Sequence, residues 1–94
     1  MRKLDSFTGE GTISSRRFEP FPCTYTVEVW HDSARNRREA SGTVRGSVND
    51  LFSAFDSDDA RLTMSNGWVL EIVLGKTSGD GTAEIFVNSR IPGY

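Results

Sequence analysis

Residues 68–74 (WVLEIVL) constrain the fold more than any other part of this chain, because they are apolar at nearly every position yet only as long as a strand. The Asn66-Gly67 pair comes immediately before them and readily supplies the φ > 0 residues of a hairpin turn. The run is therefore predicted to be the middle strand of a β-meander. A half-buried strand alternates apolar and polar residues, and this one does not, so we expect both of its faces to be covered.

Length and composition predict one small β domain over residues 1–94, with 89–94 as a terminal tail. The single cysteine, Cys23, rules out an internal disulfide and leaves no cysteine cluster for zinc, so we predict neither a metal nor a cofactor. No apolar run approaches the roughly 20 residues that span a bilayer. The N-terminus lacks the apolar region of a signal peptide, so we expect a cytoplasmic protein without a membrane partner.

The net charge of −2 is divided unevenly along the chain. Residues 1–47 hold eight basic against six acidic side chains, whereas residues 48–94 hold three against seven. This polarity could orient a partner or a second copy of the chain. The acidic balance argues against binding a nucleic-acid backbone through bulk charge.

Three strands are predicted in the N-terminal half, over residues 7–15, 23–31 and 37–46. Gly9 and Gly11 predict a bulge or bend in the first strand, and two prolines predict a loop over 16–22. In the second strand the core-facing positions are predicted to be Cys23, Tyr25, Val27 and Val29. The inward face of the third strand carries small residues, which predicts that Trp30 or the next element packs over it.

The next element changes to helical spacing. Its predicted apolar stripe, at i, i+3, i+4 and i+7, consists of Val48, Leu51, Phe52 and Phe55. Ser47 is the predicted N-cap, and residues 56–59 are predicted to form a solvated acidic loop. Since a helix of about two turns does not persist alone, we expect it to lie on the sheet and cover it.

Three more strands are predicted over residues 61–65, 68–76 and 82–88. A two-residue turn at Asn66-Gly67 would place Leu62 opposite Glu71. We therefore predict a one-residue bulge that pairs Leu62 and Met64 with Leu70 and Ile72 instead. The predicted fold is therefore mainly β: a six-stranded antiparallel meander that forms a small barrel or a strongly curled sheet, with one short helix between strands 3 and 4.

The sequence gives little support for a catalytic site. Cys23 and His31 share a predicted strand face but lie eight residues apart, about 26 Å, which is too far for a catalytic pair. The sequence contains no Gly-x-Ser-x-Gly nucleophile motif and no calcium-loop spacing. We therefore predict no catalytic residue. An enzyme remains an alternative if carboxylates that are far apart in the sequence come together in the fold.

Arginines near aromatic residues are the best candidates for contact with a ligand or partner. The predicted contact residues are Arg16, Arg17, Trp30, Arg35, Arg37 and Arg38. β-Barrels bind single-stranded nucleic acid through such combinations. Nucleotide or single-stranded nucleic-acid binding through these arginine-rich loops is therefore the alternative function.

The favoured prediction is a non-enzymatic β domain that acts by association with itself or with another protein. An open sheet covered on one side by the helix would leave the other side exposed, and a symmetric dimer would hide it. A closed barrel would instead cover the central strand on both faces, with its interior and the helix. The oligomeric state therefore depends on closure.

Overall fold

Six antiparallel strands close into a barrel, as predicted, in a computed structural model that describes residues 2–89 and residue 91. The elements in chain order are β1 (Arg2–Ser15), β2 (Phe18–Asp32), β3 (Arg37–Arg45), α1 (Val48–Phe55), β4 (Arg61–Thr63), β5 (Val69–Thr77) and β6 (Thr82–Val87). Around the barrel the strand order is β1-β2-β3-β6-β5-β4, and β4 pairs with β1 to close it. The predicted mainly β fold with one short helix between the third and fourth strands is confirmed.

The first two strands are longer than the sequence predicted. β1 begins at Arg2, and β2 begins at Phe18, so the predicted loop over residues 16–22 is reduced to a tight turn. Pro20 and Pro22 are accommodated because β3 pairs with β2 only from Thr24 onward, which leaves this part of β2 at an edge.

The barrel interior is filled by apolar side chains from every strand and from the helix. The four predicted core positions of β2 are all buried, which confirms that face. The largest fully buried side chains are Ile13, Val27, Val29, Val44, Leu51, Leu62, Leu70, Ile72 and Ile85. In the predicted tail, Ile91 belongs to this core, whereas residues 90 and 92–94 lie outside the described part of the chain.

Only one face of β5 is covered, so the prediction of two covered faces is wrong. Leu70, Ile72 and Leu74 point into the barrel and are at most 3% exposed. Val69 and Val73 lie on the outer side, where they are 52% and 37% exposed. Valine suits the exposed face of a strand because its branched side chain fits the pleated backbone, so missing alternation did not require a second layer.

The hairpin between β4 and β5 has the predicted register at Leu62, which pairs with Leu70, but Met64 does not pair with Ile72. The N–H of Met64 donates to the Trp68 carbonyl at 2.8 Å, so the loop has three residues, 65–67, rather than two. Gly67 has φ = 92° and donates its N–H to the Met64 carbonyl at 3.0 Å. Gly67 thus supplies the left-handed residue that closes a three-residue hairpin loop with a bulge.

This hairpin crosses β1 at Gly9 and Gly11. A Cβ at Gly11 would lie 2.4 Å from the Thr63 carbonyl oxygen, so only glycine permits the approach. The Tyr25 hydroxyl accepts a hydrogen bond from the Ser65 N–H at 3.1 Å and fixes the crossing. The predicted bulge at the two glycines is wrong, since the register shifts of β1 lie at residues 3–5 and 13–15.

The helix packs through a narrower face than its spacing predicted. Leu51 and Ala54 are buried against the barrel, but Phe52 and Phe55 are 51% and 48% exposed, so their predicted burial is wrong. An eight-residue helix meets the curved barrel along one side only, and Leu51 and Ala54 occupy that side. Ser47 stands at the predicted N-cap position without a side-chain capping bond.

Of the two candidates predicted to cover the small residues of β3, Trp30 does not do so. It lies on the outer face of β2, because it alternates with the fully buried Val29. The backbone of β2 itself comes close instead: a Cβ at Gly42 would lie 1.8 Å from the Thr26 carbonyl oxygen. Within the described residues, no helix is long and apolar enough to cross a membrane.

Candidate interaction surfaces

The predicted arginine cluster is divided between the two ends of β2. Arg16 and Arg17 form the turn that precedes this strand, whereas Arg35, Arg37 and Arg38 follow it. The 15 residues of β2 separate the two groups, so they do not form one surface. Trp30 lies at the second end, beside Arg37 and Arg38.

A cleft of about 570 Å³ opens at this second end, where β3 and the chain after β6 diverge; we call it the hairpin cleft. β3 pairs with β6 only from Ser41 onward, so the first part of β3 has no neighbour on that side among the described strands. The residues that carry its chemistry are Trp30, Arg37, Arg38 and Phe86. Two of the predicted arginines thus line the same cleft as two aromatic rings.

Most polar groups around the hairpin cleft already have partners. Lys3 Nζ lies 5.7 Å from the Trp30 ring centroid and 2.6 Å from a Glu28 carboxylate oxygen. Arg35 and Arg37 contact Asp32 and Glu39 at 3.8 and 3.9 Å. Exposed pairs at these distances contribute little and exchange readily, so both guanidinium groups remain accessible to an anion. Arg38 is exposed and has no ion pair among the described residues.

At the opposite end, a network of hydrogen bonds joins the β1–β2 turn to the loop after α1; we call it the Asp59 network. The hydroxyls of Ser15 and Ser57 donate to Asp59 Oδ1 at 2.5 and 2.7 Å. The backbone N–H and the Nε of Arg16 donate to Asp59 Oδ2 at 3.2 and 3.3 Å. Sequence patterns cannot reveal this network, because Ser15 and Asp59 are 44 residues apart.

These bonds favour a structural role for Asp59. The Ser15 hydroxyl above all, then the Ser57 hydroxyl and the Arg16 N–H, hold the pKa of the Asp59 carboxyl well below its usual range. A carboxylate with so low a pKa is a weak general base, and both serine hydroxyls donate to it. The prediction that residues 56–59 form a solvated acidic loop is therefore wrong at two positions. Ser57 is buried, and the Asp59 carboxylate is held by its hydrogen bonds and by Arg16.

The chain's cysteine and histidine offer no nucleophile pair. Cys23 is buried, and burial raises the pKa of its thiol to about 11, so it packs as a small apolar residue. His31 lies eight residues further along β2, too far away to activate it. The described residues contain no group of three or more histidine, cysteine, aspartate or glutamate side chains that could hold a metal ion.

Exposed apolar side chains form two separate surfaces. On the barrel, Val73 and Phe86 are direct cross-strand neighbours, and Val69 lies on the same side of β5; we call these three residues the β5–β6 wall. Phe86 is 49% exposed, and one edge of its ring lies against Gly75, where a Cβ would be 2.8 Å away. On the helix, Phe52 and Phe55 form what we call the α1 face. The sequence signal for the wall was the missing alternation in residues 68–74.

The two surfaces differ in their charged surroundings. Beside the β5–β6 wall, the exposed residues Arg61, Glu71, Lys76 and Glu84 balance one another in charge. Around the α1 face, residues 46–60 carry four aspartates and no lysine or arginine. The wall can therefore meet a copy of itself without repulsion, whereas the α1 face cannot.

Comparison with known proteins adds no family or relative: no protein-family model, curated protein or solved structure matches this chain.

Proposed function

We propose that this protein acts by self-association through the β5–β6 wall. The observation that carries the proposal is the pair of exposed apolar neighbours, Val73 and Phe86, on the outside of a barrel whose interior is already filled. Contiguous exposed apolar residues mark surfaces that contact other molecules. Among the described residues, neither the hairpin cleft nor the Asp59 network brings together a nucleophile, a base and an acid, which supports association over catalysis.

Barrel closure does not remove the reason for a dimer. The helix packs through Leu51 and Ala54 and leaves the outer side of β5 open, so the monomer does not cover the wall. In a dimer with two-fold symmetry, the wall of one copy would pack against the wall of the other. This contact would bury Val69, Val73 and Phe86 in both copies. The balanced charges beside the wall make this contact free of net repulsion.

Sedimentation velocity from low to high micromolar concentration tests the proposal. The wild-type mass is expected to rise from the monomer towards twice its value, and Phe86→Thr should remain monomeric at every concentration. Phe52→Ser is the matched control, because it removes an equally exposed phenylalanine from the other surface. A wild-type protein that stays monomeric throughout, or Phe86→Thr that dimerises equally well, would contradict the proposal.

Binding of a nucleotide or single-stranded nucleic acid in the hairpin cleft is the second candidate. It is supported by the cleft itself, where Arg37 and Arg38 lie beside Trp30 and Phe86. Stacking on an aromatic ring and a nearby cation are the features that bind single strands. The presence of Lys3 beside the Trp30 ring argues against it, since a base would have to displace that side chain.

Fluorescence of a Trp68→Phe variant, in which Trp30 is the remaining tryptophan, tests this candidate with a single-stranded oligonucleotide. Quenching that weakens with added salt and is lost in Arg38→Gln would support it. Arg17→Gln is the control, because that arginine lies at the other end of β2. No quenching at high micromolar oligonucleotide would remove the candidate. A cytoplasmic location is part of both proposals and derives from the sequence expectation.

A further inference from the structure

The α1 face is an aromatic surface that the barrel does not use. Leu51 and Ala54 attach the helix to the barrel, whereas Phe52 and Phe55 stay about half exposed. The two phenylalanines are three residues apart, so they lie on the same side of the helix. Two adjacent aromatic rings provide a large apolar contact area at low cost in side-chain entropy.

Two unpaired carboxylates follow the α1 face along the chain, whereas a third, that of Asp50, projects from the opposite side of the helix because it lies two residues before Phe52. Asp50 lies in the first turn of the helix, and Asp56 and Asp58 follow its last turn. None of the three has an ion pair within the part of the chain that the structure describes. Asp59 is different, because its oxygens accept hydrogen bonds from Ser15, Ser57 and Arg16. Asp56 and Asp58 are thus two negative charges without a cation at the end of the helix that carries Phe55.

The two acidic residues at the C-terminal end of the helix also oppose the electrostatics of the helix itself. Asp56 occupies the C-cap position, Asp58 lies two residues beyond, and the last turn contains no basic residue. The carbonyl groups at a helix C-terminus carry partial negative charge, which disfavours carboxylates and favours cations. A positive charge supplied from outside would therefore relieve a repulsion that the free protein contains.

We propose that the α1 face binds a cationic amphipathic segment of another protein. Its apolar side chains would pack on Phe52 and Phe55, and its lysines or arginines would contact Asp56 and Asp58. A second copy of this chain does not fit, because it would bring the same carboxylates together. Nucleic acids and anionic lipid surfaces are repelled for the same reason. This site lies apart from the β5–β6 wall and does not depend on dimer formation there.

Titration calorimetry with designed peptides of about four helical turns tests the proposal. The probe is an amphipathic peptide of leucine and lysine, and the comparison peptides replace either lysine by glutamate or leucine by serine. The leucine–lysine peptide is expected to bind at least about tenfold more tightly than either comparison peptide. Equal affinity for the serine–lysine peptide, or no saturable binding, would overturn the proposal.

Two pairs of substitutions locate the binding. The double variant Phe52→Ser with Phe55→Ser should have at least about tenfold lower affinity for the leucine–lysine peptide. The double variant Asp56→Lys with Asp58→Lys should bind that peptide more weakly and should instead prefer the leucine–glutamate peptide. The altered side chains are exposed, and circular dichroism verifies that each variant is folded. Unchanged affinity in both variants would overturn the proposal.

Controls distinguish this site from general attraction to an acidic protein and from the self-association surface. Glu19→Lys reverses an exposed charge on β2 and should leave peptide affinity unchanged. Phe86→Thr should also leave it unchanged, while sedimentation velocity reports separately on dimer formation. Loss of peptide binding in Glu19→Lys to the same degree as in Asp56→Lys with Asp58→Lys would contradict a site at α1.

Discussion

The Asp59 carboxylate shows how one side chain can join distant parts of a small barrel. Its oxygens accept bonds from Ser15 and Arg16 in the β1–β2 turn and from Ser57 in the loop after α1. Such charge-assisted bonds are stronger than neutral ones, and here they link the two segments on either side of the β1–β4 contact. We therefore expect Asp59 to matter for stability rather than for chemistry.

Asp59→Asn should reduce stability at neutral pH and change its pH dependence. Because the pKa of Asp59 is lower in the folded than in the unfolded state, its carboxylate stabilises the fold above the unfolded value of about 3.9. That contribution is lost as the pH falls through the folded-state pKa. Urea midpoints should therefore differ between the variant and wild type at pH 7 and converge towards acid. Asp58→Asn is the control, and an equal pH-dependent loss there would contradict the role assigned to Asp59.

Substitutions on the two sides of β5 should differ in cost. Ile72→Ala removes a side chain that is 1% exposed and should lower the free energy of unfolding by about 2–5 kcal/mol. Val69→Ala changes an outward position and should cost less than about 1 kcal/mol. Urea unfolding of the two variants at the low micromolar concentrations where the protein is expected to be monomeric measures both values. Comparable losses would show that the outer side of β5 is covered in solution.

At the scale of elements, backbone proximity decides where glycine is required. Gly11 lets the β4–β5 hairpin cross β1, and Gly42 lets β3 lie close to the β2 backbone. A side chain at either position would meet a main-chain carbonyl oxygen, which cannot move without separating the strands. Gly79 differs, because it has open space around its Cα and no left-handed backbone.

Gly42→Ala is expected to abolish cooperative folding, because its Cβ would lie 1.8 Å from the Thr26 carbonyl oxygen. Gly79→Ala, in the β5–β6 turn, should stay within about 1 kcal/mol of wild type. Thermal unfolding followed by circular dichroism compares the two. A cooperative transition near the wild-type temperature in Gly42→Ala would show that the strands can separate there at little cost.

At the scale of the whole molecule, the barrel is closed by a short strand pairing. β4 has three residues, and all of its pairing with β1 runs through Thr12, Ile13 and Ser14. By contrast, β1 and β2 pair along most of their length. A short ladder opens at lower free energy than a long one, although the buried Ile13 and Leu62 resist its complete separation.

Native-state hydrogen exchange should detect this difference. Backbone amides in the β1–β4 contact, such as those of Ile13 and Leu62, should exchange through local openings at lower free energy than those of Val27 and Val29 at the centre of β2. The experiment reads each amide separately by nuclear magnetic resonance. Equal free energies of exchange across these residues would show that the barrel opens only by global unfolding.

The sequence by itself determined the strands, the helix and the inward face of β2, because turns, spacing and alternation are local properties. It also determined that Leu62 pairs with Leu70, since a slip by one residue would turn apolar side chains outward. Only the tertiary structure decided that Val69, Phe52 and Phe55 remain exposed and that the two groups of arginines lie apart. The same is true of the Asp59 network. Burial and long-range bonds depend on which surfaces closure brings together, and a local pattern of residues does not contain that information.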